Sequence, residues 1–387
     1  MIDPVSSRVL TSTHLAQILS DRIRIGAYQV GEFLPSERDL AESLEVSRET
    51  IRRVIAVLVN DGIVKRERGR GNRIISIPGE SEPSRTRLIG MVIYGLGHMG
   101  SASIFNGCHI ILRNHGYHLI VCETSTDVMV RATDEAIQLR ALMERGIDGM
   151  VLYAEPTAQN QSLLHKAMRN GIYIVQVDRY IPGLPCDYIG VENEKAAYGA
   201  VERLIELGHR RIAHLTMEGG VTSVQERLDG YRRALISAGI EPDPELIASY
   251  SRADGPDQFD RILDRWLHLT PRPSAIFSIN DTFAVEMLSR VKRRGLKVPD
   301  AMSIIGFDDV PAAGIVTPPL TTVAQPFSLI GQTAAQVLLD RISGRLTGPP
   351  RHILLPTQLI VRESIGRWNE NSSESLDGAR KEDKSLV

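Results

Sequence analysis

Two textures of apolar and polar positions follow one another along this chain. Over roughly the first 78 residues, apolar side chains recur at the three- and four-residue spacing of helices. Leu15, Ile18, Leu19 and Ile23 share one face over about 12–25. Leu40, Ala41 and Leu44 define a second, shorter helix, and Ile51, Val54, Ile55 and Leu58 a third. Pro35 and Ser36 precede the second helix, with Asp39 three residues past the serine, and Ser47 precedes the third. Each serine is an N-cap residue, able to accept from an otherwise orphaned amide. Glu45-Val46 leaves room only for a tight turn. Asn60-Asp61-Gly62 ends the third helix with a glycine at the expected C-terminal position. Residues 63–67 and 72–77 then read as two strands joined by Arg68-Gly69-Arg70-Gly71.

From residue 87 the pattern changes. Nearly continuous apolar runs occur at 88–94, 118–123, 149–154, 173–177, 188–191, 211–216, 246–250, 275–279 and 302–307, most of them separated by ten or more helix-compatible residues. Strands that are apolar on both faces and alternate with helices predict parallel sheets covered on each side. So many strands favour two lobes over one sheet, and the pattern restarts near Gly208. Open parallel sheets bind ligands beyond the carboxyl ends of their strands, so two facing lobes make a small-molecule cleft.

Between the textures, PGESEPSRT is rich in Pro, Gly, Ser and Glu and reads as a linker. Residues 1 to about 11 lack a pattern, as does the polar stretch ENSSESLDGARKEDK from Glu370 to Lys384, which reads as disordered. The expected organisation is a first domain over 1–78, a linker over 79–87, a two-lobed domain over 88–366 and a tail over 367–387.

Composition narrows the class. A chain of 387 residues with 42% hydrophobic and 24% charged residues is an ordinary globular protein of two or three domains. Cys108, Cys122 and Cys186 are widely spaced with no Cys-x-x-Cys, which excludes a zinc knuckle and fits a reduced cytoplasm. Each reads as a small buried apolar residue. No apolar run approaches a membrane span, and the N-terminus has no signal-peptide layout. A cytoplasmic protein with no membrane partner is expected.

Charge is what gives the first texture its chemistry. From Ser47 to Arg73 there are eight Lys/Arg against three acids, while the whole chain carries −2. Such a local basic patch is an electrostatic footprint for phosphate. Arg48, Glu49, Arg52 and Arg53 lie opposite the apolar face of the third helix, and the first residues of such a helix reach base edges. The glycines of the tip permit a sharp turn and close approach to DNA. The alternative is a solvated helix followed by an ordinary hairpin.

A second motif points elsewhere. The 88–94 run is followed by Gly95-Leu96-Gly97-His98-Met99-Gly100, with a helix after it and Glu123 ending the next strand. That is G-x-G-x-x-G in the context of a dinucleotide site, and it would make the protein an NAD(H)-sensing redox repressor. Against it, no set of catalytic partners is placed as a dehydrogenase needs. More generally, no enzyme is expected, because there is no His-x-x-x-His pair and no G-x-S-x-G elbow. His209 reads as a helix-end residue. No cofactor and no metal are expected.

The first texture closely resembles the winged helix-turn-helix of the GntR family. The resemblance rests on PSERxLA at 35–41, VSRxTIR at 46–52, LxxDGIVxRxxGRG at 58–71 and the preceding helix. It implies DNA contacts from Arg38, Ser47, Arg48, Glu49, Arg52, Arg68, Gly69 and Arg70. Glu49 replaces a frequent small hydroxyl residue there. It either accepts from a cytosine amino group or starts the helix electrostatically.

The second texture, over about 87–365, resembles the effector domain of the LacI/GalR family, which has the type I periplasmic-binding-protein fold. The matching stretches are YIGVENEKAAYGAVERLIELGHRRIAHLT, RLDGYRRALISAGI, PSAIFSINDTFAVEMLSRVKRRGLKVPDAMSIIGFDD and PPLTTVAQPFSLIGQTAAQVLLDRI. The first loop, 95–103, departs most from the family. The resemblance implies an effector pocket lined by Asp178, Arg227, Asn280, Asp308 and Gln325, joined by His98, Met99 or Ser101 from the first loop.

The residue chemistry agrees. Asp178, Arg227, Asn280 and Asp308 fall in strand-end loops, and carboxylates, amides and guanidinium groups match the directed donors and acceptors of sugar hydroxyls. Other readings stay open: Asp308-Asp309 as a turn cap, Asn280-Asp281 as a helix N-cap, and Arg227 as a surface residue ahead of a packing Gly230.

The expected fold is therefore a small α+β winged helix-turn-helix domain joined to an α/β two-lobed periplasmic-binding-protein-like domain. The combination resembles the arabinose-responsive repressors of the GntR class. It implies a homodimer that binds double-stranded operator DNA and is released by a sugar or sugar derivative. An architectural DNA binder without an effector is the plainer alternative.

Overall fold

The structure, a computed structural model, describes residues 12–67, 69–76, 85–97, 99–125, 127–251 and 255–368. It divides into two compact units, Met1–Arg85 and Thr86–Val387. The expected loose N-terminus and most of the expected linker and tail lie outside the described residues.

In the first unit, helices α1 (Ser12–Arg24), α2 (Glu37–Ser43) and α3 (Arg48–Asn60) precede an antiparallel hairpin, β1 (Val64–Glu67) with β2 (Gly71–Ile74). Ser36 Oγ accepts from the Asp39 amide at 3.2 Å and Ser47 Oγ from the Thr50 amide at 3.1 Å, so both caps form. Leu15, Leu19, Ile23, Leu40, Ile51, Val54, Ile55 and Leu58 make one buried core. Burying each such side chain stabilises the unit by about 1.5–3 kcal/mol.

Two features differ from the pattern. Strand β2 ends at Ile74, because the Ile75 amide turns back to the Ile63 carbonyl. Residues 31–34, which carry no strand signal, run as a third strip along β2: the Gly31 amide bonds the Ile74 carbonyl, and the Leu34 amide the Asn72 carbonyl.

The second unit holds two six-stranded sheets. Its strands are β3 (Leu88–Tyr94), β4 (His118–Thr124), β5 (Gly149–Leu152), β6 (Tyr173–Val177), β7 (Asp187–Val191), β8 (Ile212–Met217), β9 (Ile247–Tyr250), β10 (Ala275–Ser278), β11 (Ser303–Asp308), β12 (Thr321–Ala324), β13 (His352–Leu355) and β14 (Gln358–Ile360). The first sheet runs β4-β3-β5-β6-β7-β13, all parallel. The second runs β9-β8-β10-β11-β12-β14, parallel except for β14. The chain crosses between lobes three times: after β7, after β12, and between β13 and β14.

Each of the nine apolar runs contains a strand. Strands β12, β13 and β14 had no such signal. They are three or four residues long, and β13 and β14 are half-exposed edges, so their apolar stretches are shorter than the runs that mark the other strands.

Helices α4 (Met99–Asn114) and α12 (Phe327–Ile342) touch backbone to backbone in the first lobe. A Cβ on Gly107 would lie 2.1 Å from the Ser328 carbonyl oxygen, and one on Gly331 2.1 Å from that of Ile104. In the second lobe α7 (Asn193–Glu206) packs on α8 (Thr222–Ser237) in the same way through Gly230. Helices α5 (Val128–Glu144) and α6 (Ala158–Arg169) complete the first lobe. Helices α9 (Gln258–His268), α10 (Asp281–Arg293) and α11 (Pro311–Ile315) complete the second.

His209 closes the second lobe rather than a catalytic site. Nδ1 pairs with Ser274 Oγ at 2.8 Å and Nε2 with the Gly366 carbonyl at 3.1 Å. The Trp368 amide donates to Leu207 O at 2.8 Å, so the folded chain extends into the stretch expected as tail. Burial lowers the His209 pKa to about 4. The resulting stability is present above the ordinary histidine value of 6.5 and is lost as pH falls through 4. Urea unfolding of the full chain at pH 7 and at pH 4.5 checks this. The midpoint drops at the lower pH, and His209→Gln, which cannot charge, shows a smaller drop.

Candidate functional site

A cavity of about 310 Å³ lies between the two lobes. It takes Tyr94, Met99, Ser101, Arg131, Tyr153, Asp178 and Arg179 from the first lobe, and Arg227, Asn280 and Asp308 from the second. Six of the eight expected effector residues line it: Met99, Ser101, Asp178, Arg227, Asn280 and Asp308. Gln325 stands behind Asp308, its Nε2 donating to Asp308 Oδ1 at 2.7 Å. His98 lies outside the described residues.

Two of these residues hold unusual backbone. Asp178, just past β6, has φ 65°, and Asp308, ending β11, has φ 119°. Non-glycine residues in this region cost roughly 1–3 kcal/mol each, and such residues cluster where function over-determines them. The surroundings do so here. Tyr188 donates its hydroxyl to the Asp178 carbonyl at 3.0 Å, and Tyr153 hydrogen-bonds the Asp178 carboxylate.

Beyond Asp308, buried Asp281 accepts from Thr322 Oγ1 at 2.5 Å and from the Val310 amide at 2.9 Å, so it pins the loop after β11. Gly306 makes room for it, since a Cβ there would lie 2.1 Å from Asp281 Oδ1. Burial pushes the Asp308 carboxyl up to about 6, against the pull of Arg227 and Gln325, and the Asp281 carboxyl up to about 7.

Arg227 corrects the expectation that all four polar residues occupy strand-end loops. It projects from the second turn of α8 and is only 6% exposed. Nε donates to Asn193 Oδ1 at 2.9 Å and Nη1 to the Ile279 carbonyl at 2.7 Å. The guanidinium lies 3.8 Å over the Phe307 ring, and Nη1 is 3.7 Å from Asp308 Oδ1. It is not a surface arginine, although Gly230 does pack as expected. Asn280 is both things read for it: it caps α10, accepting from the Phe283 amide at 2.9 Å, and it lines the cavity. Asp309 turns away and pairs with Arg362 at 2.7 Å.

Sequence reasoning missed the charge cluster of the first lobe. Arg179 Nη2 and Arg131 Nη1 both donate to Glu155 Oε1, at 2.6 and 3.1 Å. Both guanidinium groups lie over Tyr94, and Arg179 also over Tyr153. Buried Glu135 closes the cluster behind them, accepting from Asn160 Nδ2 at 2.8 Å; burial raises its carboxyl to about 8. Arg179 was adjacent to a named residue, and Tyr94 ended an apolar run. Arg131, in the first turn of α5, had no signal in the residues around it.

On the first unit, Arg38, Arg48, Glu49, Arg52, Gly69 and Arg70 are exposed, while Arg68 lies outside the described residues. Arg52 is steered by Glu37 at 2.9 Å, and Glu49 lies 3.7 Å from Arg53. Ser47 spends its oxygen on the cap. Gly69 and Gly71 have φ 79° and 114°, the turn that the tip was expected to need.

The loop with the dinucleotide pattern has other employment. The Leu96 amide donates to Glu123 Oε1 at 2.7 Å, and a Cβ on Gly100 would lie 2.9 Å from the Phe327 ring. Among the described residues no group of His, Cys, Asp and Glu is arranged to hold a metal, and no helix is long and apolar enough to cross a membrane.

Comparison with known proteins agrees with this division. Residues 11–74 match the bacterial regulatory proteins of the gntR family, and residues 201–365 match the periplasmic binding protein-like domain. The transcriptional repressor CytR of Escherichia coli is 33% identical over 265 residues, which span 68% of this chain and 74% of CytR. The chain belongs to the helix-turn-helix transcriptional regulators. The arabinose metabolism transcriptional repressor of Geobacillus stearothermophilus is 28% identical over 90% of this chain and 96% of its own length. The structure of the transcriptional regulator CelR in complex with cellobiose covers 86% of this chain and 100% of CelR, at 26% identity and a TM-score of 0.64. The regulator thus joins a GntR-type DNA-binding end to a LacI-type sensor, as a ligand-responsive repressor does. None of these relatives supports the dinucleotide reading.

Proposed function

We propose that the regulator represses carbohydrate-utilisation genes and leaves its operator when an uncharged sugar binds between the lobes. The observation that carries this is the cavity with Asp178 on one wall and Arg227, Asn280 and Asp308 on the other. Directed donors and acceptors on two movable lobes suit a ligand whose hydroxyls face both ways. The arabinose repressor and the CelR–cellobiose complex support the sugar class. Charge refines it. Three guanidinium groups (Arg131, Arg179, Arg227) meet three carboxylates (Glu155, Asp178, Asp308), so a phosphate or carboxylate on the ligand would add an unbalanced buried charge.

Release follows by linkage: a ligand that prefers closed lobes shifts the equilibrium toward them. In a homodimer, closure would change the spacing of two DNA-binding units, which must match half-sites about one helical turn apart. The DNA contacts proposed are Arg38, Ser47, Arg48, Glu49, Arg52, Arg68, Gly69 and Arg70.

Thermal unfolding of the full-length protein with L-arabinose, other pentoses and hexoses, cellobiose, sugar phosphates and NAD(H) tests the reading. A neutral sugar at about 100 times its Kd adds about 2.7 kcal/mol and raises the midpoint. A rise with sugar phosphates alone overturns the charge argument. A rise with NAD(H) alone overturns the sugar reading.

A further inference from the structure

The effector arginine is held from behind by residues that do not line the cavity, and these lead across to the other lobe. Asn193 opens α7, where the chain first crosses between lobes, and it is buried. Its Oδ1 accepts from Arg227 Nε at 2.9 Å, and its Nδ2 donates to Glu226 Oε2 at 3.0 Å. Arginine only donates, so the Asn193 amide has one allowed orientation and Glu226 must accept.

The other Glu226 oxygen accepts from the Tyr180 hydroxyl at 3.3 Å. Tyr180 belongs to the first lobe, in the loop between β6 and β7. Its backbone is also fastened to α8: the Tyr180 amide donates to Thr222 Oγ1 at 3.1 Å, and the Thr222 hydroxyl lies 3.3 Å from the Tyr180 carbonyl. Thr222 and Glu226 are four residues apart on one helix face, so a single residue of the first lobe spans a full turn of α8. Burial holds the Glu226 carboxyl above the usual carboxylate range.

We propose that Asn193 and Glu226 are positioning residues that hold Arg227 in its binding orientation while Tyr180 sits on α8. Lobe seating and effector binding are then coupled through one hydrogen-bond chain. The proposal rests on the cavity being the effector site. A bound ligand that fixes Arg227 tightens the seam, and by reciprocity a loosened seam weakens the ligand.

The experiment uses full-length Asn193→Asp, Asn193→Asp/Glu226→Gln and Tyr180→Phe. In the single Asn193→Asp variant the introduced carboxylate still accepts from Arg227 but faces the Glu226 carboxylate. In the double variant the introduced amide donates to the new carboxylate while its oxygen accepts from Tyr180, so the chain is whole again. In ligand-free protein, hydrogen exchange of peptides covering 178–182 and 221–226 is expected to quicken about tenfold in Asn193→Asp, less in Tyr180→Phe, and to return in the double variant.

Calorimetry with L-arabinose and cellobiose as probes is expected to show affinity lost about tenfold in Asn193→Asp and recovered in the double variant. Wild-type exchange or affinity in Asn193→Asp overturns the proposal, as does a double variant no better than the single. If Asn193→Asp does not fold, wild-type exchange in Tyr180→Phe overturns it. If the wild type binds neither probe, the sugar reading loses its support, and the exchange arm alone decides the seam.

Discussion

Arg227→Ala leaves operator binding intact and abolishes the response to effector. The side chain touches only the cavity wall and its supports, in the second unit. Its loss removes a charged donor from the ligand and orphans buried acceptors at Asn193 Oδ1 and the Ile279 carbonyl. Each unsatisfied buried group costs about 1–3 kcal/mol. Asp308 also loses the cation that opposes its burial, so its carboxyl moves further up. Together these weaken the effector by at least about a hundredfold, or about 2.7 kcal/mol. Titrating the operator complex with the sugar found by thermal unfolding checks the result. A variant that still releases DNA at wild-type ligand concentrations removes Arg227 from the site.

The second large effect is on DNA. Arg48→Ala and Arg52→Ala each weaken operator binding by about 1–3 kcal/mol and relax base preference. Both side chains stand on the exposed face at the start of α3, whose other face fills the core. The Glu37 carboxylate, 2.9 Å from Arg52 Nε, aims that arginine. An exposed pair of this kind adds little to stability, so its use here is orientation. Glu37→Gln therefore lowers operator specificity more than it lowers the unfolding midpoint. Affinities measured at several salt concentrations separate the roles. Loss of a base contact leaves the salt dependence nearly unchanged, whereas loss of a phosphate contact reduces its slope by about one. If both alanine variants bind operator and unrelated DNA as the wild type does, α3 is not the reading helix.

By itself the sequence determined the elements and their class. Helical spacing placed α1, α2 and α3, serine caps set where two of them start, and nine apolar runs each hold a strand, because these signals are local and repeat within a few residues. The tertiary structure alone decided what is assembled from distant segments. Strands β12, β13 and β14 are too short to stand out by their own apolar residues, and neighbouring strands supply the hydrogen bonds that make them strands.

The candidate site divides the same way. Asp178, Asn280 and Asp308 were legible because they end strands or begin helices. Arg131, Glu135 and Glu155 were not, since the first two, one turn apart on α5, meet Glu155, 20 and more residues on, only when α5 packs beside the end of β5. The partners of Arg227 lie 34 and 52 residues away, at Asn193 and Ile279. No spacing rule reaches that far. Whether an arginine is a surface charge or is buried at a cavity wall depends on what the fold packs against it, and for Arg227 that is settled only when α7, α8 and the ends of β10 and β11 are assembled.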